Sequence, residues 1–316
     1  MEIALVDVQK SLQMPDVASE KSLHLYSPLN WVGMSEIPLP IQIEIEGRPT
    51  TVAAKVDAQV SLDLSSARGI HMSRLYSLLQ TALTQKSLSF QTLSDLTKEF
   101  LKSHETLSSS SRIRIQMELP VHRKALKSKN QAWRTYPVTW IAENRDGVVR
   151  FWQEVEITYS STCPASAALA RQLIQENFKA HFQAGELKFE NIHQWLGSTD
   201  GILATPHAQR SYAKVGVEVR SAESSQLLKI IDLVEEALQT PVQTLVKRED
   251  EQEFARRNGQ NLMFCEDAAR RIQYSMEAEA SIQDYVIHVS HQESLHPHNA
   301  VSFLSKTPES RLKAHW

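Results

Sequence analysis

Three short segments of this chain place metal-ligating and acid–base side chains beside proline. They are Ser161-Thr162-Cys163-Pro164-Ala165-Ser166, Thr205-Pro206-His207-Ala208-Gln209-Arg210-Ser211 and His291-Gln292-Glu293-Ser294-Leu295-His296-Pro297-His298-Asn299. A thiolate, a neutral imidazole and a carboxylate are the ligands that hold a borderline divalent ion such as zinc. Helices and strands commonly end next to proline, so these groups are expected on loops at the ends of elements. Singly, each segment has a plainer reading, because a lone cysteine is commonly a small buried residue and a lone histidine a surface or core one. Glu293 and His296 stand at the spacing of a helical ligand pair, yet Pro297 favours a strand end that enters a loop. The combination is what points to a metal site.

The elements that must position these groups are legible in the periodicity. Ile41 to Glu46 alternates strictly, Gly47 to Thr50 supplies a turn, and Val52 to Leu64 continues extended, which predicts a hairpin with one buried face. Apolar residues then recur at helical spacing over His71 to Thr84 and Leu88 to His104. Ile113 to Leu119, Trp133 to Ile141 and Val148 to Thr158 alternate again, joined by a Lys-rich turn and by Asn144-Arg145-Asp146-Gly147. Further on, Ser211 to Arg220 reads as a strand, Gln226 to Leu238 and Glu266 to Ala278 as helices, and Asp284 to Val289 as a strand. This loose repetition predicts a tandem α+β architecture: an irregular lead-in over residues 1–30, a first module over 31–160 and a second over 161–316. An extra helix over Ser166 to Phe182 and the stretch to Gly201 form an insertion near 166–204. A helix beginning just after Cys163 would favour its thiolate.

Composition narrows the class. The 316 residues are enough for one large domain or two ordinary ones, and the formal charge of −3 gives no general electrostatic case for nucleic acid. Basic clusters occur at Arg68 to Arg74, His122 to Lys129 and Lys247-Arg248; the middle one reads as solvated surface. No uninterrupted apolar run is long enough to span a bilayer and the start has no leader pattern, so no membrane partner and a cytoplasmic location are expected. Cys163 and Cys265 are the only cysteines, which argues against an oxidised framework.

Seven motifs in order carry a resemblance: Asn30-Trp31-Val32-Gly33-Met34, Arg68-Gly69-Ile70-His71-Met72-Ser73-Arg74, Ser161 to Ser166, Pro206 to Ser211, Lys247-Arg248-Glu249-Asp250-Glu251, Phe264-Cys265-Glu266-Asp267 and Glu293 to Asn299. By these the chain resembles the type IB GTP cyclohydrolases over nearly its whole length. The resemblance implies tandem tunnelling-fold modules, antiparallel sheets with helices packed on one face, and a homotetramer with sites at subunit interfaces. It implies that Cys163, His207, Glu251 and His296 surround one divalent metal per site, whether zinc, manganese or iron(II), with Glu249 as the alternative to Glu251. It also implies hydrolysis of GTP to 7,8-dihydroneopterin triphosphate and formate, opening the folate and related pterin pathways. Two departures stand out: Ala165 replaces a cysteine common in the family, and the insertion separates the Cys163 and His207 motifs.

The chemistry gives each residue a task. Attack of water at C8 of guanine near neutral pH needs an acidified water, which a bound divalent metal supplies. Cys163 is then a ligand or a nucleophile, and Glu293 the preferred acid/base. A carboxylate can accept both N1–H and N2–H of guanine, a role for which the resemblance points to Glu266. Arg68, His71 and Arg74 begin a helix and can meet the triphosphate. The plainer readings are a helix-start carboxylate for Glu266, a strand-end carboxylate for Glu293 and solvated side chains for the other three. A cyclic phosphate product, or a protein of this fold that binds purine nucleotide or metal without turnover, are the alternatives. No role is assigned to His288, His291 or His298, and Cys265 is expected in the core.

Overall fold

In a computed structural model of the chain, the described residues are 27–307 without 46, 184, 186 and 220–224. The hairpin predicted near the start is β1 (Leu29–Ile45) with β2 (Arg48–Leu62), turning at Gly47 with φ +76°. β1 therefore begins inside the stretch expected to be irregular, while residues 1–26 lie outside the described residues. Helices α1 (Met72–Gln85) and α2 (Phe90–Ser103) follow, the second capped by the Ser89 hydroxyl, which accepts from the Thr92 N–H at 3.0 Å. Next come β3 (Ser110–Lys124), β4 (Gln131–Arg145) and β5 (Val148–Thr162). The β4–β5 turn needs positive φ at both central residues, which Asp146 (+51°) and Gly147 (+82°) provide.

The insertion forms α3 (Pro164–His181) and α4 (Phe189–Leu196). The chain closes with β6 (Ala208–Val219), α5 (Leu227–Leu238), α6 (Arg248–Gln260), α7 (Cys265–Glu277), β7 (Ile282–His291) and β8 (Ala300–Ser305). α6 and β8 had no counterpart among the predicted elements. Only Asp250 and Glu253 of α6 are buried, so it carries no apolar stripe to read. Asp250 anchors that helix instead: its carboxylate accepts the Lys247, Lys127 and Ser128 backbone N–H groups at 2.7–2.8 Å.

All eight strands form one continuous sheet in chain order, every neighbour antiparallel. The order strand-strand-helix-helix-strand-strand runs through β1–β4 and again, with α3, α4 and α6 added, from β5 onward. Residue 160, where the sequence reading divides the modules, lies inside β5. The pairings Ser110↔Arg145 and Arg145↔Val148 mark one end of the sheet, and Lys124↔Gln131, Thr162↔Ala208 and His291↔Ala300 the other. At the first end the chain enters its helices from β2 and β6. The second, with the β1–β2, β3–β4 and β7–β8 turns against the single β4–β5 turn of the first, is the hairpin end, and a 15-residue strand such as β5 spans roughly 50 Å between them at about 3.3 Å per residue.

The helices cover one face, whose residues Ile41, Val56, Ile113, Ile115, Ile157, Val215 and Ile287 are completely buried. The opposite face keeps a small cluster of Ile141, Trp152 and Val286 beside charged Glu154 and Lys214. An ionic cluster ties the first-round strands to a second-round helix. Glu235 of α5 accepts from Arg134 Nη1 and from the Tyr136 hydroxyl, each at 2.6 Å, while Arg123 of β3 reaches Asp232 at 2.7 Å. Removing Glu235 leaves the Arg134 guanidinium without its carboxylate in a mostly buried site, while Arg123 keeps Asp232, so Glu235→Ala is expected to lower unfolding stability by about 3 kcal/mol. Urea unfolding checks this; a loss below about 1 kcal/mol would mean that water already screens the cluster.

Candidate active site

Cys163, His207 and Glu293 come together at the hairpin end of β5, β6 and β7. The Cys163 N–H donates to the His207 carbonyl at 3.3 Å, prolonging the β5–β6 ladder by one pair beyond Thr162 and Ala208. Pro164 starts α3 there, and the Cys163 Sγ caps it by accepting the Ser166 N–H at 3.5 Å. The Ser166 hydroxyl in turn accepts the His207 N–H at 3.1 Å. Thiol and imidazole thus flank the root of the insertion, both half-buried.

His207 Nδ1 lies 2.9 Å from Gln209 Oε1. An amide oxygen only accepts, so Nδ1 is the donor of this contact, and in the neutral ring the lone pair is then on Nε2. Such an oriented imidazole is ready to ligate through Nε2, the arrangement that ligating histidines usually have. Gln209 Nε2 reaches Glu293 Oε1 at 3.5 Å, and the other Glu293 oxygen lies 3.9 Å from His207 Nδ1. Gln209 is buried and links ligand-type and acid/base-type side chains. Sequence reading did not single it out, although it stands two residues after His207 on the same strand face.

Behind this cluster lies a second buried group. Tyr159 and His291 are 0% and 3% exposed, and the hydroxyl meets Nε2 at 2.8 Å. Burial pushes the Tyr159 phenol well above its ordinary value and pulls His291 down to about 4, against a weaker opposing pull from the Glu266 carboxylate. Both are neutral at pH 7. Glu266 sits in the first turn of α7, whose entry is fixed by Met263 N–H donating to the Thr162 carbonyl at 3.2 Å. The buried Cys265 thiol donates to Glu266 Oε2 at 3.3 Å, and burial, with that carboxylate, raises the thiol to about 11. Cys265 lies in the core, where sequence reading put it.

Other candidates lie apart. Glu251 is exposed in the first turn of α6, as is Glu249. His296 stacks on His298 in the loop after β7, which is exposed over 294–299, with ring centroids 5.2 Å apart. Among the described residues, no three of His, Cys, Asp and Glu are grouped so as to hold a metal ion. Arg68, His71 and Arg74 occupy the opposite end of the sheet, where β2 passes into α1. His71 and Arg74 line a cleft there with Lys102 and His104, and Arg74 Nη1 donates to the Ser103 carbonyl at 2.8 Å. His104 is held below its ordinary value chiefly by burial, with Arg74 and His71 acting in the same direction. The strand length places this cationic cleft on the order of 40–50 Å from Cys163, too far for one nucleotide to touch both within a chain.

No helix among the described residues is long and apolar enough to cross a membrane. The profile of the family described as "Type I GTP cyclohydrolase folE2" matches residues 14–302. A GTP cyclohydrolase FolE2 of Bdellovibrio bacteriovorus is 55% identical over 294 residues, covering 93% of this chain and 96% of its own. Those of Hydrogenovibrio crunogenus and Pseudomonas putida are 45% and 47% identical, again covering more than nine-tenths of each chain. Among solved structures, uricase from Arthrobacter globiformis superposes with a TM-score of 0.51 at 10% identity, covering 93% of this chain and 97% of that one. A hyper-thermostable variant of that uricase gives 0.53 at the same identity, covering 89% and 93%. At this identity the likeness concerns the fold alone, and that fold is the tandem tunnelling fold. With its motifs spread over both halves and close relatives along nearly its whole length, the chain belongs to the type I GTP cyclohydrolase FolE2 family.

Proposed function

We propose that this enzyme hydrolyses GTP at C8 of guanine, releases that carbon as formate and yields 7,8-dihydroneopterin triphosphate for folate synthesis in the cytoplasm. The observation that carries this reading is the junction of Cys163, His207, Gln209 and Glu293 at one sheet end, in a chain of this family. Cys163 and His207 fit a borderline divalent ion by donor type, and His207 also by the lone pair left on Nε2. Glu251 and His296 would complete the set of ligands, and zinc, manganese and iron(II) all suit such mixed donors. The chemistry such an ion supplies is acidification of a water, from about 16 toward about 7.

The chain's own groups do the rest. Glu266, exposed at the start of α7, accepts guanine N1–H and N2–H and sets the ring's orientation. Glu293, two residues beyond β7, carries protons to and from the purine nitrogen as the ring opens. Gln209 holds His207 and Glu293 in fixed relation. Arg68, His71 and Arg74 bind the triphosphate from a second copy of the chain, because in one chain they lie at the far end of the sheet. This geometry supports a homotetramer with sites at subunit interfaces. The exposed apolar side chains of the insertion, Leu169, Leu173, Phe189 and Leu196 among them, are a surface of the kind that subunit contact covers.

The test is to incubate metal-stripped protein with GTP, with and without added zinc, manganese or iron(II), and follow formate and the fluorescence of the oxidised pterin. Formation of both only with added metal is expected. Nucleotide binding without either product, whatever the metal, would leave a binding protein.

A further inference from the structure

Tyr159 of β5 and His291 of β7 are not on neighbouring strands, since β6 runs between them. The register nevertheless puts them in one row: Tyr159 pairs with Ser211, and Ser211 with His291. Two ladder spacings separate their backbones by roughly 9.5 Å. The side chains meet over the middle residue because Ser211, fully buried, is small enough to pass beneath them. Its own hydroxyl bonds sideways to Ser161 at 2.7 Å. The two rings meet nearly edge-on, 74° apart with centroids at 5.8 Å.

We propose that Tyr159 and His291 are a positioning pair that clasps the ends of β5 and β7, so that Cys163, Glu266 and Glu293 face one substrate. The proposal rests on the GTP-hydrolysing reading of the site and adds two residues to it. Cys163 follows Tyr159 by four residues and Glu293 follows His291 by two, so each reactive group extends from one arm of the clasp. Among the described residues the Tyr159 hydroxyl meets His291 Nε2 alone, and in the proposed clasp the hydroxyl is the donor and Nε2 the acceptor. The ring proton is thereby fixed on Nδ1. A neutral imidazole in one tautomer then stands within the electrostatic reach of Glu266 without cancelling the charge that is to accept guanine's donors. Losing the hydroxyl frees the ring to turn and the β7 end to shift, and displacements of about 1 Å at reacting groups cost on the order of a hundredfold in rate.

The experiment compares full-length wild type, Tyr159→Phe, His291→Ala, the double variant and His291→Gln as metal-loaded assemblies turning over GTP. Tyr159→Phe keeps the ring and the packing, and retained melting temperature and oligomer size are checked first. The expected result is a kcat lower by roughly ten- to a hundredfold with KM within about twofold. The double variant should be no slower than the worse single one, and His291→Gln, which keeps an acceptor for the hydroxyl, should recover most of the rate. A Tyr159→Phe enzyme with wild-type kcat, or single losses that multiply in the double variant, overturns the clasp. ¹⁵N chemical shifts of the His291 ring add a readout independent of turnover. Nδ1-protonated imidazole in wild type and a mixed tautomer in Tyr159→Phe are expected, while an Nε2-protonated ring in wild type also overturns it. If wild type itself releases no formate, the reading of the site fails; if wild type is active and Tyr159→Phe matches it, the clasp alone fails.

Discussion

Cys163→Ala is expected to lower formate release from GTP by at least about a thousandfold, with the fold intact. The thiol is half-buried at the start of α3 and its one hydrogen bond among the described residues is the 3.5 Å contact from the Ser166 N–H, so alanine costs little packing. Its chemistry is another matter, because the chain's other cysteine, Cys265, is buried in the core with its thiol raised to about 11, so alanine leaves this sheet end without a soft sulfur donor. A ligand and a nucleophile both predict loss of turnover, so metal content is measured on the same protein. A variant without bound metal supports ligation. One that keeps a full complement and still fails shifts Cys163 to covalent or proton-transfer chemistry, and a fully active variant removes it from the site.

A second expected result concerns where one site ends and the next subunit begins. His71→Ala combined with Arg74→Ala should weaken use of GTP on the order of a hundredfold, the size expected for two charge-assisted contacts. Assembled with the Cys163→Ala chain, that protein should regain activity. A site drawing Cys163 from one subunit and His71 and Arg74 from another is intact in about one quarter of random pairings. Co-expression of the two variants under different affinity tags, followed by assay of the doubly tagged assembly, measures this. If the mixed assembly is no more active than its parents, the cationic cleft and the Cys163 cluster do not serve a common site, and Arg68, His71 and Arg74 lose their role.

Much of the fold was legible beforehand because its elements are strongly periodic. Ile41 to Glu46 alternates with the period of a half-buried strand, and Leu75, Leu79 and Leu83, the buried residues of α1, stand a helical turn apart. The Asp146-Gly147 turn announces itself through the positive φ angles that it needs. α6 was not legible, since it is held by Asp250 and the Glu253–Arg257 pair rather than by an apolar face. Gln209 was passed over because an amide has no chemistry of its own to notice; its value comes from lying between His207 and Glu293. Tyr159 and His291 stand 132 residues apart in sequence, and no local pattern relates them.

The sequence by itself determined most of the elements, α6 and β8 excepted, which face of those elements is apolar, and which residue types are available for metal, purine and phosphate. These are local matters, set by side-chain chemistry and the periods of helix and strand. Only the tertiary structure decided that Cys163, His207 and Glu293 share one end of the sheet while Arg68, His71 and Arg74 stand at the other. That depends on strand order and register, which accumulate over pairings between residues far apart in sequence. The same register put Tyr159, Ser211 and His291 in one buried row.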